Sequence, residues 1–171
     1  MSIAQSLLPE LQHEAATTRR VLERVPEASF AWQPHPKSMS LHDLAAHVAN
    51  IFSWGKMTLA TSELDVARPF PPRAFATTGA LLADLDANVE AYRAALAQAT
   101  DADLCADWTF RAGSQVFFVQ PKVAVLRGFV TNHLIHHRGQ LSVYLRLLDV
   151  PVPSIYGPSA DDDPMGFAKA K

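Results

Sequence analysis

Prolines divide this sequence into four long stretches in which apolar residues recur at helical spacing. A proline inside a helix lacks the backbone N–H that closes a turn, so it ends or kinks the helix. The prolines that separate the first three stretches are Pro26, Pro34, Pro36, Pro69, Pro71 and Pro72. They exclude one continuous helix and predict several shorter helices joined by linkers.

The first two helices have recognisable starts. The first is predicted over residues 2–25, and because Pro9 is best tolerated in a first turn, its start is expected near Ser6. The second is predicted to begin at Ser40, whose hydroxyl matches a capping box with the Asp43 carboxylate. The apolar stripes of these two helices are Leu7, Leu11, Thr18, Leu22, Val25, Leu41, Leu44, Val48, Ile51 and Leu59.

The second half of the chain contains the other two helices and a different pattern between them. The third helix is predicted to begin at Thr77 or Thr78, and the fourth to span residues 121–148. Their stripes are Leu82, Leu85, Val89, Tyr92, Leu96, Leu126, Val130, Leu134, Leu141, Leu145 and Leu148. Residues 108–110 and 116–119 have strand composition and flank a turn, which predicts a short hairpin.

These elements predict an all-α four-helix bundle with a short hairpin before the last helix. A chain of 171 residues fits a single domain, residues 1–171. Residues 149–171 contain four prolines and are expected to form an extended C-terminal tail. The links are long enough to allow crossovers between the helices, so a simple up-and-down order is not required.

Composition excludes several classes of partner. Fifteen basic residues nearly balance seventeen acidic ones, so the charge predicts neither a nucleic-acid nor a membrane partner. The first turns are polar, unlike a signal peptide, and no apolar run approaches the length of a membrane span. Cys105 is the only cysteine, which excludes an intramolecular disulfide. We therefore expect a cytoplasmic protein that acts on a small molecule.

Three histidines are placed on inward helix faces by their spacing. His133 and His137 are four residues apart, so both imidazoles lie on one face, within the apolar stripe of the fourth helix. His47 follows Leu44 by three residues and lies on the inner face of the second helix. His42 is expected on the opposite, solvated side.

Three inward imidazoles are better explained by a metal ion than by an ordinary core. One inward histidine is more often a hydrogen-bonded core residue, and a single pair is ambiguous. A buried neutral imidazole needs partners for a donor and an acceptor, and the apolar stripes offer few. One divalent ion would satisfy three acceptors, and three protein ligands with an open position are typical of catalytic zinc. Zinc or nickel is expected, while imidazole also suits copper and iron.

Other residues near the predicted site are candidates for contact with a cofactor or substrate. Asn50 and Trp54 follow His47 at one and two helical turns, and Gln140 lies close to the His133 side. These three residues are predicted to contact a cofactor or substrate. A solvated bundle end explains Asn50 and Gln140 equally well, while core or pocket wall is the simpler role of Trp54 and of Tyr144, two turns beyond His137. Asp43 lies one turn before His47 and could support a metal ligand, but helix capping is its simpler role.

Other sources of chemistry are weak. The sequence contains no phosphate-binding glycine loop, no nucleophile elbow and no paired cysteine motif. Nothing marks Cys105 as an activated thiol. Arg127 and Arg138 are expected at the surface or an interface, and residues 161–163 read as a solvated acidic run.

Several segments together resemble the DinB-like family of bacterial proteins. They are WQPHPKSMSL at residues 32–41, LAAH at 44–47, NHLIHHRGQL at 132–141 and VPVPSIYGP at 150–158. The resemblance implies a four-helix bundle, commonly connected up-down-down-up, and a homodimer. It also implies metal ligands at His47, His133 and His137, in agreement with the helical spacing.

The resemblance implies less about activity, because many members are named damage-inducible proteins without a defined substrate. Characterised relatives in the wider superfamily include S-transferases and an isomerase that use low-molecular-weight thiols. Others are similar to metal-dependent hydrolases. A thiol transferase is the first hypothesis, since no carboxylate base stands at helical spacing beside the ligands. A small-molecule hydrolase and a non-catalytic metal-binding or ligand-binding bundle are the alternatives.

Overall fold

The computed structural model describes residues 2–67, 74–164 and 166. The prolines predicted to link the second and third helices, and the end of the predicted tail, lie outside the described residues. In the described part the chain is mostly helical, with a small sheet on one side.

The helices fall close to their predicted positions. They are α1 (Ile3–Leu22), a 3₁₀ turn (Glu27–Ser29), α2 (Leu41–Ala60), α3 (Thr78–Gln98), the short α4 (Asp101–Cys105), α5 (Lys122–Val125), a π-helical segment (Leu126–Asn132) and α6 (His133–Leu147). The last three are continuous and are called the C-terminal helix. A continuous α-helix was the expectation here, and the π-helical segment is a departure from it.

Side-chain caps fix the helix starts. Ser40 Oγ accepts a hydrogen bond from the Asp43 N–H at 3.1 Å, and Thr77 Oγ1 accepts one from the Ala80 N–H at 3.1 Å. Each hydroxyl satisfies a backbone donor that has no partner inside the helix. The predicted starts of α2 and α3 are therefore confirmed.

The expected start of α1 near Ser6 is wrong. Ser2 caps the helix, accepting from the Gln5 N–H at 3.2 Å while the Gln5 side chain accepts from the Ser2 N–H at 2.8 Å. Pro9 consequently lies in the helix interior. It costs the helix one backbone hydrogen bond, but the reciprocal cap and the burial of Leu7 and Leu11 hold the turns on either side.

The long helices enclose one aliphatic core. Helix α2 packs against α3 and the C-terminal helix, and α1 packs against the same two. The core is built mainly from leucine, valine and alanine side chains. No helix in the described ranges has both the length and the apolar character needed to cross a bilayer.

A three-stranded sheet corrects the all-α prediction. Its strands are β1 (Glu63–Asp65), β2 (Asp107–Ala112) and β3 (Gln115–Pro121), in the order β1-β2-β3. Strands β2 and β3 form the predicted antiparallel hairpin, and Gly113 at its turn has a φ of 58°, where a side chain would be strained. Strand β1, parallel to β2, was not predicted because three residues carry too little pattern.

The sheet is fixed to the end of α2. Trp108 is completely buried and its indole N–H donates to Thr61 Oγ1 at 3.0 Å. Arg111 bridges two strands, with nitrogen–oxygen distances of 2.6 Å to both Glu63 and Asp65. A hairpin is marginal alone, and these contacts give this one a defined position beside α2 and the C-terminal helix.

Arg138 is buried, which contradicts its predicted surface position. Its side chain is 1% exposed and its Nη1 lies 2.7 Å from Glu14 Oε2 on α1. The same nitrogen donates to Thr18 Oγ1 at 3.1 Å, and Tyr156 donates its hydroxyl proton to Glu14 Oε1 at 2.8 Å. Burial is possible because a carboxylate from another helix neutralises the guanidinium, which local periodicity does not reveal.

The acidic run after α6 is also engaged, in contrast to its predicted solvation. Asp161 pairs with Arg146 and accepts a hydrogen bond from the Val152 N–H at 2.9 Å. Asp162 accepts one from the Ser154 N–H at 2.8 Å. These carboxylates satisfy backbone donors of the segment that leaves α6.

We predict that Arg138→Met destabilises the protein by about 3–5 kcal/mol, because it leaves the Glu14 carboxylate buried without its counter-ion. Combining it with Glu14→Leu should restore most of that loss. Urea unfolding followed by circular dichroism measures both changes.

Arg127 provides the matched control. It also pairs with a glutamate, Glu10, at 3.2 Å, but its side chain is 56% exposed. Arg127→Met should therefore change the free energy of unfolding by less than about 1 kcal/mol. Similar losses for the two arginines would contradict the ion-pair interpretation.

Candidate metal centre

The three predicted histidines converge between α2 and α6. Their candidate ligand atoms all lie within 4.8 Å of one another. His47 Nε2 is 3.0 Å from His133 Nε2, and the His137 ring centroid is 4.5 Å from each of the other two. We call these residues the histidine triad.

The triad spacing suits one shared ion. Two nitrogens bound at about 2.0–2.1 Å to one ion are separated by about 2.9 Å at a right angle and about 3.4 Å at the tetrahedral angle. The 3.0 Å between His47 and His133 falls in that interval. Two facing Nε2 atoms on neutral rings can share only one proton, whereas an ion uses both lone pairs. The triad could therefore hold a metal ion.

Burial keeps the triad in the form that binds metals. It lowers the pKa of His47 from its ordinary 6.5 to about 4, with further lowering by His137 and His133. The pKa of His133 is lowered by burial first and then by its histidine neighbours, and that of His137 is lowered mainly by burial. All three rings are thus neutral at neutral pH, with lone pairs free for coordination.

Gln140 orients one of the triad rings. His137 Nδ1 lies 2.7 Å from Gln140 Oε1, one turn further along α6. Because the amide oxygen only accepts, Nδ1 carries the proton and Nε2 is left with its lone pair. This is the kind of partner that fixes the tautomer and the direction of a ligating histidine. Gln140 therefore contacts His137 directly, and its contact with a cofactor stays a prediction.

Two aromatic rings lie against the triad. Trp54 is 5.5 Å from His47 and 5.2 Å from His133 between ring centroids, so it forms a wall of the site. Phe129 stacks on Trp54 at 5.3 Å and lies 6.0 Å from His133. The sequence analysis missed Phe129, although it precedes His133 by four residues and the same helical spacing would have placed it on that face.

Other predicted neighbours have hydrogen-bond partners outside the triad. Asn50 accepts a hydrogen bond from Ser53 Oγ at 2.9 Å. Tyr144 donates to the Met39 carbonyl at 3.3 Å. The Asp43 N–H donates to the Ser40 cap, and the pKa of the Asp43 carboxyl is lowered by Ser40 first and by His42 second.

His42 is not solvated, in contrast to its predicted exposure. Its Nε2 accepts a hydrogen bond from the Phe75 N–H at 3.0 Å, and its Nδ1 lies 3.2 Å from Asp43 Oδ1. The ring also packs on Phe30 at 5.2 Å. His42 therefore anchors the chain that enters α3, a long-range contact that helical spacing does not show.

The fold and the triad define a mostly helical protein with a candidate three-histidine metal centre. Residues 1–164 match the DinB family. The chain belongs to the DinB family, as the motifs around the histidines indicated. No curated protein is detectably similar to it in sequence.

Solved structures show the same fold. A DinB-like protein from Bacillus cereus ATCC 10987 has 21% identity and a TM-score of 0.68, with 91% of this chain and 98% of that one covered. A DinB-like protein from Bacillus subtilis, YjoA, has 19% identity and a TM-score of 0.64, with 84% and 92% covered. At these identities the similarity concerns the fold alone.

We predict that His137→Ala binds well below one metal ion per chain and still folds. Gln140→Ala should keep the ion but bind it about 10–100-fold more weakly, because the His137 ring loses its orienting partner. Elemental analysis and competition with a chelator measure the two effects.

The control is His35→Ala, which removes an exposed histidine of the linker before α2, outside the triad. It should leave both metal content and affinity unchanged. Full metal retention by His137→Ala would show that the triad is not the binding site.

The metal-free protein should lose stability as the pH falls from about 6.5 to about 4. His47 takes up a proton at its ordinary pKa of 6.5 when unfolded, but only at about 4 when folded, so acid favours the unfolded chain in this window. Above this pH window, His47 contributes no pH dependence to the free energy of unfolding.

Urea unfolding midpoints of metal-free wild type and His47→Gln, measured at about pH 7 and about pH 5, test this pH dependence. The midpoint of the wild type should fall more between the two values than that of the variant. An equal fall of the midpoint in the wild type and in His47→Gln would contradict the assignment of this pH dependence to His47.

Proposed function

We propose that this protein is a metal-dependent enzyme that activates a low-molecular-weight thiol and transfers it to a small electrophile. The observation that carries the proposal is the composition of the site. In the part of the chain that the structure describes, the group able to hold a metal consists of three histidines and no carboxylate. Hydrolysis usually gains from a carboxylate base, while thiol activation does not need one.

The donor set fits a divalent ion of the zinc or nickel type. Three imidazoles suit both ions. Held by His47, His133 and His137, such an ion would lower the pKa of a thiol that binds to it and so supply a thiolate nucleophile. Three neutral ligands leave the positive charge of the ion uncompensated, so an incoming thiolate is attracted to the site.

The protein side chains prepare the site for that reaction. Burial keeps His47 neutral, and Gln140 directs the Nε2 lone pair of His137. Trp54 and Phe129 place apolar surface beside the triad. Apolar surroundings strengthen the electrostatic attraction between the site and a thiolate.

The transfer itself needs no oxidant or reductant. The thiol releases its proton to solvent, and its sulfur attacks an electrophilic carbon. The new C–S bond forms as the bond from carbon to the leaving group breaks, and the leaving group departs with that electron pair. The products are a thioether, the leaving-group anion and a proton.

Cobalt substitution tests the proposal directly. Adding 2-mercaptoethanol or a cellular thiol to the cobalt-loaded protein should produce a sulfur-to-cobalt charge-transfer band. Ethylene glycol, which carries hydroxyls alone, should not. His137→Ala treated in the same way should lack the band.

Thiol-dependent conjugation of a chlorinated aromatic electrophile would then support catalysis. An unchanged cobalt spectrum with all common cellular thiols would overturn the transferase proposal. Ester cleavage by the loaded protein without any thiol would indicate the hydrolase alternative, and thiol binding without turnover would indicate a non-catalytic binding protein.

A further inference from the structure

A continuous set of aromatic rings leads away from the histidine triad. It consists of Trp54, Phe129, Phe118 and Phe110, with Phe117 at its outer end, and is called the aromatic wall. Phe129 contacts Phe110 at 5.1 Å and Phe118 at 6.1 Å between centroids, and Phe110 contacts Phe117 at 5.1 Å. The wall thus joins α2, the π-helical segment and the hairpin.

The aromatic wall is not part of the hydrophobic core. The core cluster is mainly aliphatic, and Trp54 is the only member of the wall that packs against it. The four phenylalanines lie outside that cluster and keep solvent-exposed area, with Phe117 48% exposed. Trp108 of the same hairpin also lies outside that cluster, but it is fully buried, and its ring lies 6.3 Å from that of Phe118. Partly exposed rings that touch one another beside a polar site are typical of a ligand-binding surface.

The cation of the hairpin does not face a ligand on the aromatic wall as a free group. Arg111 is paired with both Glu63 and Asp65. Lys122, which follows the hairpin, donates to the Leu59 carbonyl at 2.8 Å. The rings therefore determine the chemistry of this surface, and they favour an apolar or aromatic group over a charged one.

We infer that the aromatic wall is the specificity subsite for the aryl or apolar part of a small-molecule substrate whose polar end reaches the triad. This inference rests on the proposed metal-centred function and names its substrate class. Phe129 and Trp54 contact His133, so the apolar group begins close to the metal-binding end of the ligand. The rings further out, on the hairpin, accept the rest of it.

Two hydroxamates test the subsite without any catalytic assay. Both acetohydroxamate and phenylacetohydroxamate bind zinc through the same head group, and only the second carries an aryl group. Calorimetry on the zinc-loaded protein should show about tenfold tighter binding of phenylacetohydroxamate, the gain expected from one buried aromatic contact.

Single substitutions in the aromatic wall then show which rings produce the preference for phenylacetohydroxamate. Phe118→Ala, whose ring contacts Phe129 but no triad residue, should reduce the preference and leave acetohydroxamate affinity unchanged, and Phe129→Ala should remove the preference. Phe30→Ala is the matched control, because Phe30 also packs on a histidine, His42, but away from the triad. It should keep the full preference. Circular dichroism verifies that each variant is folded.

The outcomes separate this inference from the proposed function. Equal affinity of the wild type for the two hydroxamates would overturn the aromatic subsite and leave the metal centre intact. Binding of neither would show that the bound zinc does not accept an outside ligand, which would overturn the proposed metal-centred reaction and the subsite together. A preference that survives both Phe129→Ala and Phe118→Ala would show that the aryl group binds elsewhere.

Discussion

The packing of α2 against α6 determines everything that the site can do. Leu44 and Ile51 on α2, with Leu134 and Leu141 on α6, are buried in the same aliphatic core. The histidines occupy the same stripes, so the packing that excludes water from the core also brings imidazoles from two helices to 3.0 Å. Because interiors are close-packed, a sliding of α2 along α6 would disturb the packing of the core and the convergence of the histidines at once.

Helix α6 carries polar contacts on two of its sides. His137 contributes to the triad, and Arg138, about 100° further round the helix, is buried against Glu14 of α1. Aliphatic packing tolerates small rotations, but an ion pair with hydrogen bonds is directional. The Arg138 contacts therefore hold α6 at one rotation about its axis, which is the rotation at which the triad converges. Tyr156 extends this control to the segment after α6 through its hydrogen bond to Glu14.

Sequence reasoning succeeded where the determining chemistry is local. Caps at Ser40 and Thr77 depend on neighbouring residues, and the triad follows from spacing along two helices. It failed where a partner comes from far along the chain. Glu14 neutralises Arg138, His42 contacts the chain before α3, and β1 is a strand only because β2 lies beside it. The cytoplasmic location and the homodimer stay predictions.

The π-helical segment has an evolutionary consequence. A π-helix closes each hydrogen-bonded loop with one residue more than an α-helix does, and such segments are common at functional sites. Removing one residue there would turn α5 and the hairpin by about 100° relative to α6. The histidines would stay in place while different rings faced them. Single-residue insertions or deletions in residues 126–132 would thus allow related proteins to change what surrounds an unchanged histidine triad.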